Sequence, residues 1–546
     1  MWTELTHIST HAHRIWFVLR QSAVHLTNLD LQGNKLGDMT GAALADYLLI
    51  ATCLKRLDLS WNEFAGSGAC AIASAMGTNQ GLRFLNLAHN RFGDAATQSL
   101  GLELCDHQSL QELDLSHNRV PAAAAIVMSN ALKRCPTLHT LLLNDNPIGN
   151  EGIAAVLRAI ANRSEERDQL GAPKWLNAVQ PVHVSLSNCR RGRASNRNSK
   201  DGHLFNPANP AGTFNLSMRV PYDCIVLDMI TTEAAHRLGF LVDAFYYTPP
   251  KASGGSEAAG ADGRVQLEFG TSLARSATAP VLGAHDARAL QTRLEGMDEI
   301  DRERYKKEVT RSMEIRVAGS GKQWKRPRTG RVFVKIRYHK YPSKWWHAIK
   351  NYTFAALMAV VNRSTQDHED RLTMLNLLSE DMDMNCEQVQ QLLDSGIMQE
   401  STEKLRIKQM ARFLCRVVDN DHVHELIHNN LSGGGRKRLK KELGAMYRLV
   451  VKNPTGHFKL LLDKPSDRAV FYRLGEINEE EAAKRKRSCD NGMGPGDTSQ
   501  HGGWGNMRNV TIDGARFSPD SRVRRSCEPV PLVFSTLSFR LFHSCH

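Results

Sequence analysis

One phrase returns at a fixed interval and limits what this chain can become. "LTNLDLQGNKL" begins at Leu26, and "LKRLDLSWNEF" at Leu54, "LRFLNLAHNRF" at Leu82, "LQELDLSHNRV" at Leu110 and "LHTLLLNDNPI" at Leu138 follow, each 28 residues after the last. Such self-similarity marks a stacked array. Within each copy, apolar residues occupy offsets 0, 3 and 5, as in Leu26, Leu29 and Leu31. The alternation at the last two places both side chains on one face of a short strand. Offset 8 is asparagine five times: Asn34, Asn62, Asn90, Asn118 and Asn146. An amide at a buried turn can bond backbone groups that have no strand partner, so these five are predicted to form a structural ladder.

The second half of each copy changes period. Offsets 18 and 22 are apolar every time, from Leu44 and Leu48 to Val156 and Ile160, and residues four apart share a helix face. Offset 11 is Gly, Ala or Pro, which suits a turn before the helix. Offset 14 is always small (Thr40, Gly68, Ala96, Ala124, Gly152), which predicts close approach of helix to strand layer. Each copy is therefore strand, turn, helix. One copy buries too little apolar surface to offset the entropy of ordering it, so copies must stack into a curved solenoid.

The pattern LxxLxLxxN at this period resembles the leucine-rich repeat family, in its ribonuclease-inhibitor-like branch, over residues 20–190. A degenerate sixth copy is expected at Val184, Leu186 and Cys189, after an insertion near Arg163–Trp175. The first copy carries no clear N-terminal cap, which leads to the expectation of an array that was once longer. The resemblance implies a non-enzymatic scaffold that binds a macromolecule on the concave strand face. Candidate contact residues there are Asp30, Arg56, Asp58, Phe84, Asn86, Glu112, Asp114 and Leu142. Three aspartates in one row, on strands ~4.8 Å apart, would suit a basic protein partner. Ran GTPase-activating proteins share the repeat type, which keeps GTPase activation as an alternative; no residue is carried over from them.

The net charge of +13 lies outside this array. From Gln21 to Asn162 there are 9 Lys/Arg and 12 Asp/Glu, a balance of −3. Basic clusters at Arg190–Arg193, Lys322–Arg331, Arg436–Lys441 and Lys484–Arg487 read first as solvated surface and linker. Nuclear import or nucleic-acid contact is their second reading, without an aromatic-studded RNA-binding signature to support it. The 11 cysteines contain no CxxC pair, which points to buried thiols in a reduced compartment. No membrane partner, secretory signal or cofactor is expected; the cytoplasm is the expected location, with nucleus or cilium as alternatives.

Beyond the array, "NPAGTFNLSMRVPYDCIV" from Asn209 and "NPTGHFKLLLDKPSDRAV" from Asn453 agree at eight positions. Each reads as a strand and turn into a helix, giving units at 203–246 and 450–487 that are one motif used twice or two strands of one sheet. Residues 247–265 read as a linker and 266–360 as a mixed α+β segment, with a strand through Val332, Val334 and Ile336 and a small core anchored by Trp345 and Trp346. Residues 366–432 carry helical spacing, with a capping box at Asn385-Cys386-Glu387-Gln388. This segment resembles a small all-helical domain of unknown function that accompanies leucine-rich repeats in some algal and protist proteins. Residues 488–546 read as a mostly irregular tail. The expected fold class is α/β: a leucine-rich repeat horseshoe, parallel strands inside and helices outside, followed by an α+β segment and a small all-helical module.

One motif has enzyme character. His424-Glu425-Leu426-Ile427-His428 spells HExxH, which on a helix can hold Zn²⁺ through His424 and His428 with Glu425 as general base. That makes a zinc metallopeptidase the other alternative. A catalytic zinc needs a third protein ligand, and the HxxGxxH extension is absent. Leu426 and Ile427 are expected in a core, with both histidines at the surface.

Overall fold

The structure is a computed structural model. It describes residues 25–169, 182–189, 212–236, 240–250, 264–271, 313–338 (without 319 and 321), 348–451 (without 366, 400, 401, 420 and 421), 456–461, 507–512, 515–516 and 536–541, and the single positions 205, 470 and 474. The predicted Trp345–Trp346 core and the clusters at Arg190–Arg193 and Lys484–Arg487 lie outside the described residues, as does most of the 247–265 linker.

Six three-residue strands form one parallel sheet in chain order: β1 (Asn28–Asp30), β2 (Arg56–Asp58), β3 (Phe84–Asn86), β4 (Glu112–Asp114), β5 (Thr140–Leu142) and β6 (His183–Ser185). The apolar middle residues are in register across the sheet: Leu29, Leu57, Leu85, Leu113, Leu141 and Val184. All six are buried, as are Leu186 and Cys189 of the sixth copy. Behind the strands stand five helices, Asp38–Ile50, Gly66–Ala75, Gly93–Leu104, Ala122–Arg134 and Gly149–Gln169.

Asparagine ladders join successive copies. Asn62 donates to Leu31 O of the preceding copy at 2.9 Å and to Leu59 O of its own at 2.9 Å, while its Oδ1 accepts from Asn34 N and Leu36 N at 3.0 Å each. Asn90, Asn118 and Asn146 likewise donate to Leu59, Leu87 and Leu115 O of the preceding copy and accept from Phe64, Phe92 and Val120 N. Cys189 takes the slot in the last copy, its thiol 3.1 Å from Leu143 O.

A second ladder joins successive copies at offset 25, and its residues differ in type. Asn79 donates to Leu48 O at 2.8 Å; His107 Nε2 stands 2.7 Å from Asn79 O; the Cys135 thiol donates to His107 O at 3.2 Å; Arg163 donates to Leu132 O and Leu138 O at 2.8 and 2.7 Å. The four do one job with four chemistries.

The small residues at offset 14 act differently from expectation. A Cβ added to Gly68 would lie 2.4 Å from the Asp38 Cα, and one on Gly152 3.0 Å from the Ala125 Cβ. They set the spacing between neighbouring helices, which ride closer together than a side chain would allow.

The rest of the chain covers two sides of this array. A five-stranded antiparallel sheet, ordered Met313–Val317, Val265–Thr271, Phe240–Thr248, Arg331–Tyr338, Gly212–Ser217, carries the helix Pro221–His236. Val332, Val334 and Ile336 are buried in it. Its core is continuous with Ala122, Ala123, Ile126, Val127 and Ala155 on the convex helices, and Tyr222 N donates to Gln98 Oε1 at 3.0 Å. The alanine run Ala122–Ala125 leaves a helix surface without long side chains, which suits that contact.

Helices from Asn351 to Val450 close the other side. Helix Asn351–Arg363 packs on Gly149–Gln169 and β6, and the two regions share one core. Ser185 and Ser187 both donate to Ser364 O, at 3.0 and 2.8 Å, and Arg158 Nε lies 2.7 Å from Asp381 Oδ2. An array needs a cap where its last copy would otherwise expose core. The capping box forms: Asn385 Oδ1 accepts from Gln388 N at 2.7 Å, and Gln388 Oε1 accepts from Asn385 N at 3.1 Å.

The two copies of the NPxGxF phrase part company. Gly212–Ser217 lies in the five-stranded sheet, while Gly456–Leu461 pairs antiparallel with Thr536–Leu541 in a four-stranded one. Residues 488–546, read as mostly irregular, thus contribute the strands Met507–Ile512, Ala515–Arg516 and Thr536–Leu541. Long-range pairing selected them, and no local phrase announced them.

Candidate functional site

The short strands turn their outer residues to the concave side. Asp30 and Arg56 are exposed; Asp58, Phe84, Asn86, Glu112, Asp114 and Leu142 are half-buried. The Arg56 guanidinium carbon sits 3.6 Å from the centre of the Phe84 ring, a cation–π contact within the face.

The row at offset 4 has a local duty that its residue types do not advertise. Asp30, Asp58, Asn86 and Asp114 each use Oδ1 to accept the N–H two residues on, from Gln32, Ser60, Ala88 and Ser116, at 3.0, 2.9, 3.0 and 2.8 Å. That bond ends the strand, and an amide serves it as well as a carboxylate. Asp58 also accepts from Asn86 Nδ2 at 2.9 Å, so the row is partly knitted to itself.

Beside the row runs a column whose residue types change from copy to copy. Offset 7 holds Gly33, Trp61, His89, His117 and Asp145, with Asn188 at the matching place in the sixth copy. All six backbones are left-handed, with φ between 55° and 72°: Gly33 72°, Trp61 55°, His89 55°, His117 56°, Asp145 56°, Asn188 58°. Each of the first five donates its N–H to the next strand end: Gly33 to Ser60 O, Trp61 to Ala88 O, His89 to Ser116 O, His117 to Asn144 O, Asp145 to Ser187 O. Equal backbone geometry stacks the side chains. The Trp61 and His89 rings lie 3.7 Å apart and 12° from parallel, and His89 and His117 4.0 Å and 17°. His117 Nε2 stands 3.2 Å from Asp145 Oδ2, and Asn188 Nδ2 donates to Asp145 Oδ1 at 2.7 Å. Burial and the neighbouring His117 hold the His89 pKa below its ordinary value, against the pull of Asp114 and Asp145. The signal was legible: read offset 7 down the copies and the rings appear in sequence.

Row and column line a cleft of about 420 Å³ that runs from Gln32 to Ser187 and includes Trp61, Asn86, His89, Asp114 and His117. Carboxylate and aromatic surface meet there, a combination suited to a cationic group.

The HExxH residues lie elsewhere. On helix Val423–Asn430, Val423, Leu426 and Ile427 are buried while His424, Glu425 and His428 face solvent. Among the described residues no three His, Cys, Asp or Glu side chains stand together as a metal site. Among them, too, no helix is long and apolar enough to cross a membrane.

A family model described as Leucine Rich repeat matches residues 23–45, 51–73, 78–101, 106–122 and 134–157. No curated protein matches the chain. Among solved structures, Leiomodin-1 Actin-Binding Site 2 is similar over 30% of this chain and 96% of its own, at 16% identity and a TM-score of 0.26. Five matched segments, in phase with five strands and five helices, identify the first part of this chain as leucine-rich repeats.

Proposed function

We propose that this protein is a non-enzymatic interaction scaffold that holds a protein partner, basic in character, on the concave face of its repeats. The supporting observation is which faces the chain covers itself. The described α+β region packs on the convex helices Gly93–Leu104, Ala122–Arg134 and Gly149–Gln169 and the helical region buries the last copy, while the concave side of β1 to β5 keeps Asp30, Arg56 and Trp61 open to solvent. The charge there favours a cation: Asp30, Asp58, Glu112, Asp114 and Asp145 against Arg56. The ribonuclease-inhibitor-like branch and a cytoplasmic setting belong to the same proposal. Among the described residues no observation favours the two alternatives, GTPase activation and zinc peptide hydrolysis.

The test exploits Asn86, which ends its strand as an amide. The double variant Asp58→Asn, Asp114→Asn keeps both turn bonds and removes both charges. Crosslinking capture with the full chain is expected to lose its partners, with an unchanged circular dichroism spectrum. Identical capture by variant and parent would refute a charge-led concave site.

A further inference from the structure

The stacked column stops one position short. Asp145, His117, His89 and Trp61 occupy successive copies, and the first copy presents Gly33 at the same left-handed position, with the same N–H to carbonyl bond. A Cβ built on Gly33 would meet nothing within 4 Å. One face of the Trp61 indole is covered by His89 at 3.7 Å; the other faces the side where no ring stands among the described residues, and Trp61 is 57% exposed. A large aromatic held in a fixed stack and left open on one face is a platform for a planar group.

We infer that Trp61 stacks the guanidinium of an arginine supplied by the protein partner, seated over Gly33 as the next member of the column. The inference rests on the concave-face reading above and names its anchor. The group must be flat to continue a stack of rings 12° and 17° from parallel. It is cationic because Asp114 and Asp145 flank the column and Asp30 and Asp58 stand on the neighbouring strands, none paired with a lysine or arginine among the bonds of the described residues. A guanidinium satisfies both conditions; a lysine ammonium satisfies only the second. A nucleic-acid base would also stack, but its phosphates would meet the carboxylates.

The probes are fluorescein-labelled octa-arginine and octa-lysine, titrated by fluorescence anisotropy against the full-length protein at one ionic strength, with octathymidylate as a third ligand. The parent is expected to bind octa-arginine at least about fivefold more tightly than octa-lysine. Trp61→Gly removes the platform and tolerates the left-handed backbone. Gly33→Asn leaves Trp61 in place and puts a side chain over its open face. Both are expected to bring the ratio to about one. A ratio near one in the parent, a preference that survives in both variants, or Trp61-dependent binding of octathymidylate tighter than that of octa-arginine would each overturn the inference. Should the ratio be near one while the Asp58→Asn, Asp114→Asn variant still loses its captured partners, the concave-face reading stands and only the anchor fails.

Discussion

Asparagine ladders predict an order of stability losses that simple burial does not. Asn146 and Asn90 occupy the same slot and are 1% and 5% exposed, so loss of buried volume alone would rank their alanine variants together. Their bonds differ. Asn146 Oδ1 accepts two buried N–H groups, from Asn118 and Val120, each at 2.9 Å. Asn90 Oδ1 accepts one, from Phe64 at 3.1 Å. The carbonyls that Asn90 serves are also served by its neighbours: Leu59 O keeps Asn62, and Leu87 O keeps Asn118. Asn90→Ala therefore strands one buried donor, and Asn146→Ala strands two donors and the Leu115 carbonyl, which accepts from no other group among the described residues. At about 1–3 kcal/mol for each stranded group, the expected costs are about 1–3 kcal/mol and about 3–9 kcal/mol. Urea denaturation of the full chain by far-UV circular dichroism reads the difference as a shift in midpoint. Equal midpoints for the two variants, or an unshifted one for Asn146→Ala, would refute the counting of stranded groups.

Three further outcomes are expected. His107 is fully buried, its pKa held below the ordinary value by burial against the opposing Asn79 carbonyl, and its Nδ1 accepts from Leu110 N at 3.1 Å. A folded pKa below the unfolded ~6.5 gives stability that is full above pH ~6.5 and drains as pH falls below it; His107→Asn, the residue type at position 79, is expected to flatten this part of the pH profile of the melting temperature. Asp223 is 2% exposed, and burial lifts its pKa to about 6 against the Ser217 N–H and Arg331. A raised acid pKa gives stability that is full below ~3.9 and lost as pH rises through about 6, so Asp223→Asn, which keeps an acceptor for Ser217, is expected to be the more stable at pH 8 by about 3 kcal/mol; a variant less stable than the parent there would contradict it. Gly68→Ala drives a methyl into the Asp38 backbone and is expected to cost about 1–3 kcal/mol in the same urea assay, with Thr40→Ala at the same offset costing less.

The sequence by itself determined the array. Leu29, Leu57, Leu85, Leu113 and Leu141 recur at the interval at which one copy meets the next, and a period of that length has few ways to bury its leucines. The asparagine slot was equally legible, because one residue type did one job five times. Leu426 and Ile427 were placed in a core by spacing alone, and they lie there. Only the tertiary structure decided the rest. The ladder of Asn79, His107, Cys135 and Arg163 shares no residue type, since any donor of the right reach can meet a carbonyl there; identity is therefore no guide to it. The strand Thr536–Leu541 owes its state to a partner 75 to 85 residues back in the chain, from Leu461 opposite Thr536 to Gly456 opposite Leu541, which no short window of sequence contains. The outer faces of the helices were ambiguous for the same reason: whether Ala122 and Val127 meet solvent or a second sheet depends on where distant segments fold back. The repeat pattern named the concave wall, but that Asp30, Arg56 and Trp61 on it stay exposed was decided by where the described distant segments pack.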